Sequence, residues 1–282
     1  MGYIDLHVHS SLSDGTLSPS ELVFYAKEKN LLAFALTDHD MIDGIEEAVK
    51  TGKEQNIEVI PGIELAAEYK DREIHILGLF IDYTDPYFIN KLKFIQNGRK
   101  ERNKKILDKL KNMGMNITQK DLDMISGKDL ITRAHFGKII YEKGYARTLD
   151  EAFKLYLTPG KPGYVKREVY SPKKCIELIH KAKGVAVLAH PTLYNLSNDE
   201  LEYLIRLLSQ EGLDGIEGIY SLFSKEQENK IRSLAHKFNL LITGGSDFHG
   251  SNKKNLDLGV GRGNLKIPYE ILDEIKKYIK NK

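Results

Sequence analysis

The sequence predicts an α/β fold with parallel strands, on two observations. Seven short segments rich in β-branched residues are apolar along their length rather than in alternation, which is typical of parallel strands covered on both faces. Helical patterns lie between most of them, and this alternation favours right-handed crossover connections. The predicted strands are Ile4–Val8, Leu32–Leu36, Glu58–Ile63, Ile74–Phe80, Val185–Ala189, Gly215–Ile219 and Leu240–Thr243.

The helices between these strands have recognisable ends. Ser18-Pro19-Ser20-Glu21 is a capping box with proline at the first helical position, and it predicts a helix that runs to about Lys29. Ser171 before a proline and the side chain of Asn198 predict the starts of two others. The further predicted helices are Gly44–Gln55, Ser171–Gly184 and Asn198–Gln210.

The stretch from Tyr83 to Lys166 interrupts the alternation, because it contains helical patterns and loops but no convincing strand. Its longest pattern is basic and amphipathic, and Gly114 ends it. A turn-rich run, Pro159–Gly163, then returns the chain to the main body. We expect a barrel made of residues 1–82 and 167–282, with residues 83–166 as a helical insertion over one face. The helical patterns of this insertion are Phe88–Met113, Thr132–Glu142 and Leu149–Leu157.

The composition excludes several classes of protein. The chain has 282 residues, of which 41% are hydrophobic and 29% charged, so it can bury a sizeable core. Its net charge of +2 is too small to predict a nucleic-acid or membrane-surface partner. One cysteine, Cys175, excludes an internal disulfide framework and a cysteine-rich zinc site. Because no apolar run could span a bilayer and residues 1–5 do not resemble a signal peptide, we expect a cytoplasmic protein.

Side chains that bind metals lie at nearly every predicted strand, mostly at its carboxyl end. In a parallel barrel those ends meet on one face, where active sites are built. His7 and His9 alone could be a buried pair without a metal, and Asp14 alone could stabilise a turn. Agreement at six strand ends predicts a multinuclear metal site instead, and nitrogen and oxygen ligands without thiolate suit Mn, Zn or Fe. The candidate ligands are His7, His9, Asp14, His39, Glu64, His75, His190, Asp247 and His249.

Seven motifs, in this order, resemble those of the PHP (polymerase and histidinol phosphatase) superfamily. Within it, the chain length, the insertion and Thr132-Arg133-Ala134-His135-Phe136 resemble the branch of nucleoside 3′,5′-bisphosphate phosphatases and 5′→3′ exoribonucleases. The seven motifs span nearly the whole chain and are Asp5-Leu6-His7-Val8-His9-Ser10, Ser13-Asp14-Gly15-Thr16, Thr37-Asp38-His39-Asp40, Pro61-Gly62-Ile63-Glu64, Ile74-His75-Ile76-Leu77-Gly78, Ala189-His190-Pro191 and Gly245-Ser246-Asp247-Phe248-His249.

The resemblance implies a distorted seven-stranded (β/α) barrel whose active site is covered by the insertion. It also implies two or three divalent ions, with Mn as the leading expectation and Zn or Fe as alternatives. Glu64 would bridge the first two ions. The implied ligand sets are His7, His9, Glu64 and Asp247 for the first ion, Glu64, His75 and His190 for the second, and Asp14, His39 and His249 for the third.

Divalent ions close together provide what phosphoester hydrolysis requires, because they activate water near neutral pH, polarise the phosphoryl oxygens and stabilise the leaving oxygen. We expect a phosphatase that attacks a phosphomonoester with metal-activated hydroxide, with Asp247 or His249 as catalytic residues in proton transfer. The leading substrate is the 3′-phosphate of a nucleoside 3′,5′-bisphosphate. The alternatives are a 5′→3′ exoribonuclease on short RNA, a histidinol-phosphate phosphatase and a metal-binding structural module.

The expected partner is a small phosphorylated molecule, a nucleotide or short RNA, without a stable nucleic-acid complex or a membrane. Arg133 and His135 match the motif of the related proteins and are expected to contact substrate. Arg99, Arg102 and Asn103 share one face of the long helix, and they form either a second set of substrate contacts or a solvated basic face. Arginine suits phosphate because its planar guanidinium can donate two parallel hydrogen bonds.

Three other acids are candidates for supporting roles. Asp38 or Asp40 could orient the imidazole between them, since a ligating histidine usually donates its other N–H. Glu217, at the end of the sixth predicted strand, could contact substrate.

Overall fold

The computed structural model describes residues 2–70, 72–126 and 131–282, and all seven predicted strands are present in them. They form one sheet whose strand order follows the chain. The third strand extends to Tyr69 rather than ending at Ile63. The strands are β1 (Tyr3–Val8), β2 (Leu31–Leu36), β3 (Glu58–Tyr69), β4 (Arg72–Leu79), β5 (Val185–Leu188), β6 (Gly215–Tyr220) and β7 (Leu241–Gly245).

The sheet nearly closes into a barrel because its two edge strands, β1 and β7, meet. The N–H of His9 donates to the carbonyl of Phe248 at 2.9 Å, and the N–H of Asp247 donates to the carbonyl of His7 at 2.9 Å. Val8 and Phe248 form a parallel bridge at the same place. The predicted α/β class and the distorted seven-stranded barrel are confirmed.

One strand contradicts the expectation of a fully parallel sheet. β4 pairs antiparallel with both β3 and β5, whereas the other hydrogen-bonded strand pairs are parallel. Only two residues separate Tyr69 from Arg72, too few for the long crossover that parallel strands require. Because β4 is reversed, its beginning lies beside the carboxyl ends of its neighbours. This explains how His75, near the start of its strand, joins ligands that lie at strand ends.

Ten α-helices surround this sheet in the described residues. Among them, no helix combines the length and the apolarity needed to cross a membrane. The sixth continues into a π-helical turn, Phe153–Leu157. The helices are α1 (Pro19–Glu28), α2 (Ile45–Gln55), α3 (Pro86–Asn112), α4 (Gln119–Ser126), α5 (Arg133–Glu142), α6 (Leu149–Ala152), α7 (Pro172–Lys181), α8 (Asn198–Gln210), α9 (Lys225–Lys237) and α10 (Glu270–Asn281).

The starts of α1 and α7 agree with the predictions, whereas those of α3 and α8 differ. Ser18 and Glu21 form the predicted capping box of α1. At α8 the N-cap is Ser197 rather than Asn198, because the Ser197 hydroxyl accepts from the N–H of Glu200 while the Glu200 carboxylate accepts from the N–H of Ser197. The long helix also begins earlier than predicted, at Pro86, where the side chain of Asp85 caps it.

Three apolar clusters hold the layers together. The largest joins strand residues such as Phe34 to helix residues such as Leu22 of α1. A second packs α10, including Leu272, against the strands. The third joins Leu110 of α3 to Phe136 of α5. All five side chains are fully buried, and each such side chain contributes roughly 1.5–3 kcal/mol.

Candidate metal centre

All nine predicted ligands lie in one cluster at the rim formed by the carboxyl ends of the parallel strands. The cluster consists of four overlapping groups, and within each group the ligand atoms lie within 4.8 Å of one another. The groups are His7, His9 and Asp247; His7, Glu64 and His190; His39, Glu64 and His75; and His9, Asp14, His39 and His249.

Glu64 lies at the centre of the cluster and contacts histidines with both carboxylate oxygens. Its Oε1 is 2.7 Å from Nδ1 of His75 and 3.0 Å from Nε2 of His190. Its Oε2 is 2.9 Å from Nδ1 of His39 and 3.3 Å from Nε2 of His9. Each oxygen therefore faces a different set of imidazoles, which is the geometry that a bridging carboxylate requires.

Two aspartates flank this centre. Oδ1 of Asp247 is 3.4 Å from Nε2 of His9 and 3.3 Å from Nδ1 of His249. Oδ1 of Asp14 is 3.2 Å from Nε2 of His249, and Oδ2 of Asp14 is 3.8 Å from Nε2 of His39. Asp14 thus lies on the side of the cluster that the resemblance assigns to a third ion.

Four of the converging atoms have no hydrogen-bond partner although they are buried. Buried polar atoms are nearly always hydrogen-bonded, so a convergent set without partners points to a missing cation. Imidazole nitrogens and carboxylate oxygens are also the donors that Mn, Zn and Fe accept. The residues therefore fit the metal ions that the family resemblance implies. The four atoms are Nε2 of His7, Nε2 of His9, Oδ1 of Asp14 and Oε2 of Glu64.

The electrostatics favour the protonation state that binds a cation at Glu64 and at His249. At His75 they do not, because the charge of Glu64 outweighs the effect of burial and raises the pKa of His75 to about 10. Burial alone would raise the pKa of Glu64, but the charges of His39 and His75 hold that pKa well below its usual range. Burial and the positive charge of Lys253 lower the pKa of His249 to about 4. The carboxylate is therefore ionised and this imidazole neutral, as metal ligands must be.

Glu217 contacts two of the candidate ligands, His7 and His190. Its Oε1 is 3.0 Å from Nδ1 of His7, and its Oε2 accepts from the backbone N–H of His190 at 2.7 Å. Glu217 is fully buried and does not line the cavity, so it orients ligands rather than contacting substrate as the sequence suggested. From the end of the same strand, β6, the hydroxyl of Tyr220 donates to Oδ2 of Asp247 at 2.7 Å, and Lys253 contacts the same oxygen.

Neither aspartate beside His39 orients that imidazole. Asp38 accepts from the N–H of Ser10 at 2.7 Å and from the hydroxyl of Ser13 at 2.5 Å, so it fixes the loop that carries Asp14. Asp40 contacts two arginines, which are described below.

A cavity of about 170 Å³ opens directly beside the ligand cluster. Asp14, His39 and His75 contribute to its wall on the metal side. Four of the other nine lining residues are arginines, so the cavity joins a metal-binding wall to a wall that can bind anions. The arginines that line it are Arg99, Arg102, Arg133 and Arg167.

The hypothesis of a solvated basic face is wrong for the predicted trio on α3. Arg99, Arg102 and Asn103 are only 5%, 4% and 6% exposed. Asn103 is itself held in place, because its Nδ2 donates to the carbonyl of Ile131 at 2.9 Å and its Oδ1 accepts from Nε of Arg102 at 2.9 Å. The structure therefore places Arg99 and Arg102 at the cavity and Asn103 behind them.

The other two predicted substrate contacts lie at the start of α5. Arg133 lines the cavity and donates to Glu73 at 2.8 Å. His135 is buried, and its Nδ1 accepts from the N–H of Thr132 at 3.0 Å, which caps the helix. A contact between His135 and substrate stays a prediction.

Besides the small Ala66, sequence reasoning missed three residues that line the cavity, namely Glu73, Phe153 and Arg167. Glu73 precedes a predicted strand, Phe153 lies in a helical pattern, and Arg167 follows a turn-rich run. None belongs to a spaced motif. Their placement depends on how distant elements pack, which no local signal in the sequence contains.

Known proteins that this chain resembles have names or descriptions that fit such a site. A 5′-3′ exoribonuclease of Haemophilus influenzae is 38% identical over 259 residues, covering 90% of this chain and 94% of that protein. A 3′,5′-nucleoside bisphosphate phosphatase of Chromobacterium violaceum is 33% identical, covering 92% and 91%. A Bifidobacterium adolescentis protein, described as a metal-dependent phosphoesterase, superposes with a TM-score of 0.85 at 28% identity, covering 97% and 95%. The PHP domain model matches residues 5–282, so this chain belongs to the PHP domain family and is a metal-dependent phosphoesterase.

Proposed function

We propose that this phosphoesterase removes the 3′-phosphate from a nucleoside 3′,5′-bisphosphate. The 3′-phosphate would lie against the metal ligands, and the 5′-phosphate would lie among the cavity arginines. The observation that carries the proposal is the arginine wall directly beside the ligand cluster, because it suits a substrate with two phosphate groups close together.

The charges of the cavity support a second phosphate. Asp40 pairs with Arg99 and Arg167, and Glu73 pairs with Arg133. Arg102 forms no ion pair with the described residues, and its Nη2 is buried without a hydrogen-bond partner. Burial and the neighbouring guanidiniums lower the pKa of Arg102 well below its usual range. A phosphate group would supply the charge and the acceptors that Arg102 lacks.

An aromatic ring at the cavity supports a nucleoside as the body of the substrate. Phe153 is partly exposed and lines the cavity beside the arginines. It belongs to the π-helical turn after α6, and such turns are frequent at functional sites. Stacking of a base on an aromatic side chain contributes about 1–3 kcal/mol.

The residues of this chain would have separate roles in the reaction. Divalent ions, when bound, would activate water and neutralise the charge of the phosphoryl group. Arg99, Arg102 and Arg167 would bind the second phosphate and so orient the scissile bond. Asp247 and His249, whose Oδ1 and Nδ1 are 3.3 Å apart, are the proposed residues for proton transfer.

A 5′→3′ exoribonuclease is the second candidate, because the Haemophilus influenzae relative at 38% identity has that activity in its name. The same arginines could bind the 5′-phosphate of an RNA while the first internucleotide bond lies at the metals. Histidinol phosphate has no second phosphate, so the arginine wall does not favour it.

Three finer points belong to the same proposal. We propose Mn as the resident metal, with Zn or Fe as alternatives, and metal analysis of the purified protein tests this. We propose a cytoplasmic location, which is supported by the single, buried cysteine Cys175. We also propose residues 83–166 as an insertion that covers the active site, supported by the six cavity residues it contributes, among them Arg99, Arg102, Arg133 and Phe153.

The substrate is tested by offering adenosine 3′,5′-bisphosphate and a 5′-phosphorylated oligoribonucleotide, each with Mn²⁺. We expect release of inorganic phosphate from the first. Mononucleotides from the second, without phosphate release from the first, would establish the exoribonuclease instead. The variant Arg102→Gln should raise KM for the preferred substrate at least ten-fold, whereas Lys104→Gln, an exposed cation on the same helix, should not change it.

A further inference from the structure

We propose that Asp40 is a positioning residue that holds Arg99 and Arg167 together as one phosphate-binding pair. It would thereby set the preference for substrates that carry a terminal phosphate besides the scissile one. This inference rests on the proposed function, and it concerns a residue that does not itself line the cavity.

The carboxylate of Asp40 joins three separate elements. Its Oδ2 accepts from Nη1 of Arg167 at 2.6 Å and contacts Nη2 of Arg99, which lies in α3. Its Oδ1 accepts from the N–H of Ala66 in β3 at 3.3 Å. Asp40 is fully buried, and the two arginines are 7% and 5% exposed, so solvent does little to weaken these contacts.

The backbone of Asp40 is also fixed on both sides. Its N–H donates to the carbonyl of Glu64 at 3.0 Å, and its carbonyl accepts from Nε2 of Gln96 in α3 at 3.1 Å. Its φ is +54°, in the left-handed region, which a residue other than glycine keeps only where its surroundings enforce it. Asp40 directly follows His39 in the chain, so the residue that aligns the arginines is adjacent to a candidate metal ligand.

The two arginines keep unused donors. Nε of Arg99 and Nε of Arg167 are both buried without a hydrogen-bond partner, and both side chains line the cavity. Two guanidiniums repel each other, and the single oxygen that both contact offsets that repulsion. Without the carboxylate the pair would separate and lose the shared orientation that binds one phosphate.

Asp40→Asn tests the proposal through a ratio of substrates. The measurement is kcat/KM for adenosine 3′,5′-bisphosphate divided by kcat/KM for adenosine 3′-monophosphate. We expect this ratio to fall at least ten-fold, through KM for the bisphosphate. A ratio within two-fold of the wild type would overturn the proposal, because a merely structural role affects both substrates alike. If RNA is the substrate, 5′-phosphorylated and 5′-hydroxyl oligoribonucleotides replace the two nucleotides.

Two further variants keep the test decisive. Arg167→Gln removes the guanidinium that Asp40 contacts, without altering the segment beside His39. This variant must lower the same ratio even if Asp40→Asn does not fold. The double variant should lose less than the product of the two single effects, since both remove one interaction. Asp43→Asn, an exposed carboxyl three residues from Asp40, should keep the wild-type ratio.

A binding measurement separates failure of this inference from failure of the proposed function. If the wild type hydrolyses neither nucleotide nor RNA, the proposed function is wrong. Titration of the metal-free wild type and Asp40→Asn with inorganic phosphate then decides the role of Asp40. We expect at least ten-fold weaker binding to the variant. Equal or tighter binding would show that removing negative charge matters more than alignment, and would overturn the inference.

Discussion

At the scale of single residues, carboxylates behind the ligands determine how the imidazoles point. An imidazole that binds a metal through one nitrogen is oriented by the hydrogen bond that its other nitrogen makes. Nδ1 of His7 faces Glu217, which leaves Nε2 directed at the centre of the cluster. His75 is turned the other way, with Nδ1 towards Glu64 and Nε2 3.5 Å from Glu73.

Glu217→Gln should therefore weaken metal binding about 10- to 100-fold, the usual cost of losing such an outer partner. The amide keeps the size of the side chain but cannot accept with both of its atoms, so the hold on His7 and His190 is lost in part. Calorimetric titration with Mn²⁺ measures the affinity. Glu177→Gln, in α7 and with its side chain 44% exposed, is the control, and equal affinities for both variants would contradict the assigned role.

At the scale of elements, the centre depends on how β7 meets β1. Gly245 ends β7 beside His7, and a Cβ at Gly245 would lie 2.2 Å from Cβ of His7 and 2.8 Å from its backbone nitrogen. No side chain fits at that distance. The absence of a side chain at one position therefore allows the barrel edges to approach and brings His7 to the other ligands.

Gly245→Ala should lower both the melting temperature and the metal content of the purified protein, because β1 must move and takes His7 with it. Gly144→Ala is the matched control. Gly144 has φ +78° with nothing near its Cβ position, so alanine there adds backbone strain without a collision. Normal metal content in Gly245→Ala would show that the strand approach does not position His7.

The sequence predicts elements and ligands far better than it predicts their supports. Apolar runs identify all seven strands, and ligands at strand ends identify the cluster, because both signals are local. The sequence does not predict that β4 is reversed, because β3 continues through Leu65–Tyr69, beyond its predicted end. The helical spacing of Arg99 and Arg102 shows that they share a face but cannot show that the face is buried. Arg167 contacts Asp40 and Glu73, which lie far from it in the sequence. No spacing of residues along the chain could therefore predict these contacts.

At the scale of the whole molecule, the rim opposite the metal centre has its own polar anchor. Asp214 precedes β6 and accepts from Nε2 of His180 in α7 at 2.7 Å and from the N–H of Ala186 in β5 at 2.8 Å. It also accepts from the hydroxyl of Tyr278 in α10 at 2.5 Å and from Nζ of Lys282 at 2.9 Å. One carboxylate thus connects two strands to two helices.

This anchor predicts a pH dependence of stability. Burial alone would raise the pKa of Asp214, but these hydrogen bonds lower it to about 2, below the ordinary value of 3.8. A lowered pKa in the folded state stabilises the protein above about pH 4, and that contribution is lost as the pH falls towards 2. Asp214→Asn should therefore cost about 1–2 kcal/mol at pH 7 and progressively less below pH 4.

Chemical denaturation of the wild type and Asp214→Asn at pH 7, 5 and 3 measures this difference. Glu54→Gln, an exposed carboxyl in α2, should unfold like the wild type at each pH. A difference for Asp214→Asn that stayed constant from pH 7 to pH 3 would show that packing, rather than charge, accounts for the effect.

The central claim is that nine residues from distant parts of the chain form one metal centre that hydrolyses phosphoesters. Phosphate or nucleotide release by the wild type after chelation and after return of Mn²⁺, with Asp247→Asn beside it, tests this claim most directly. We expect activity to disappear on chelation and to return with the metal, and Asp247→Asn to be folded but inactive in both conditions. Full activity of the chelated wild type, or near-normal turnover by Asp247→Asn, would contradict the claim.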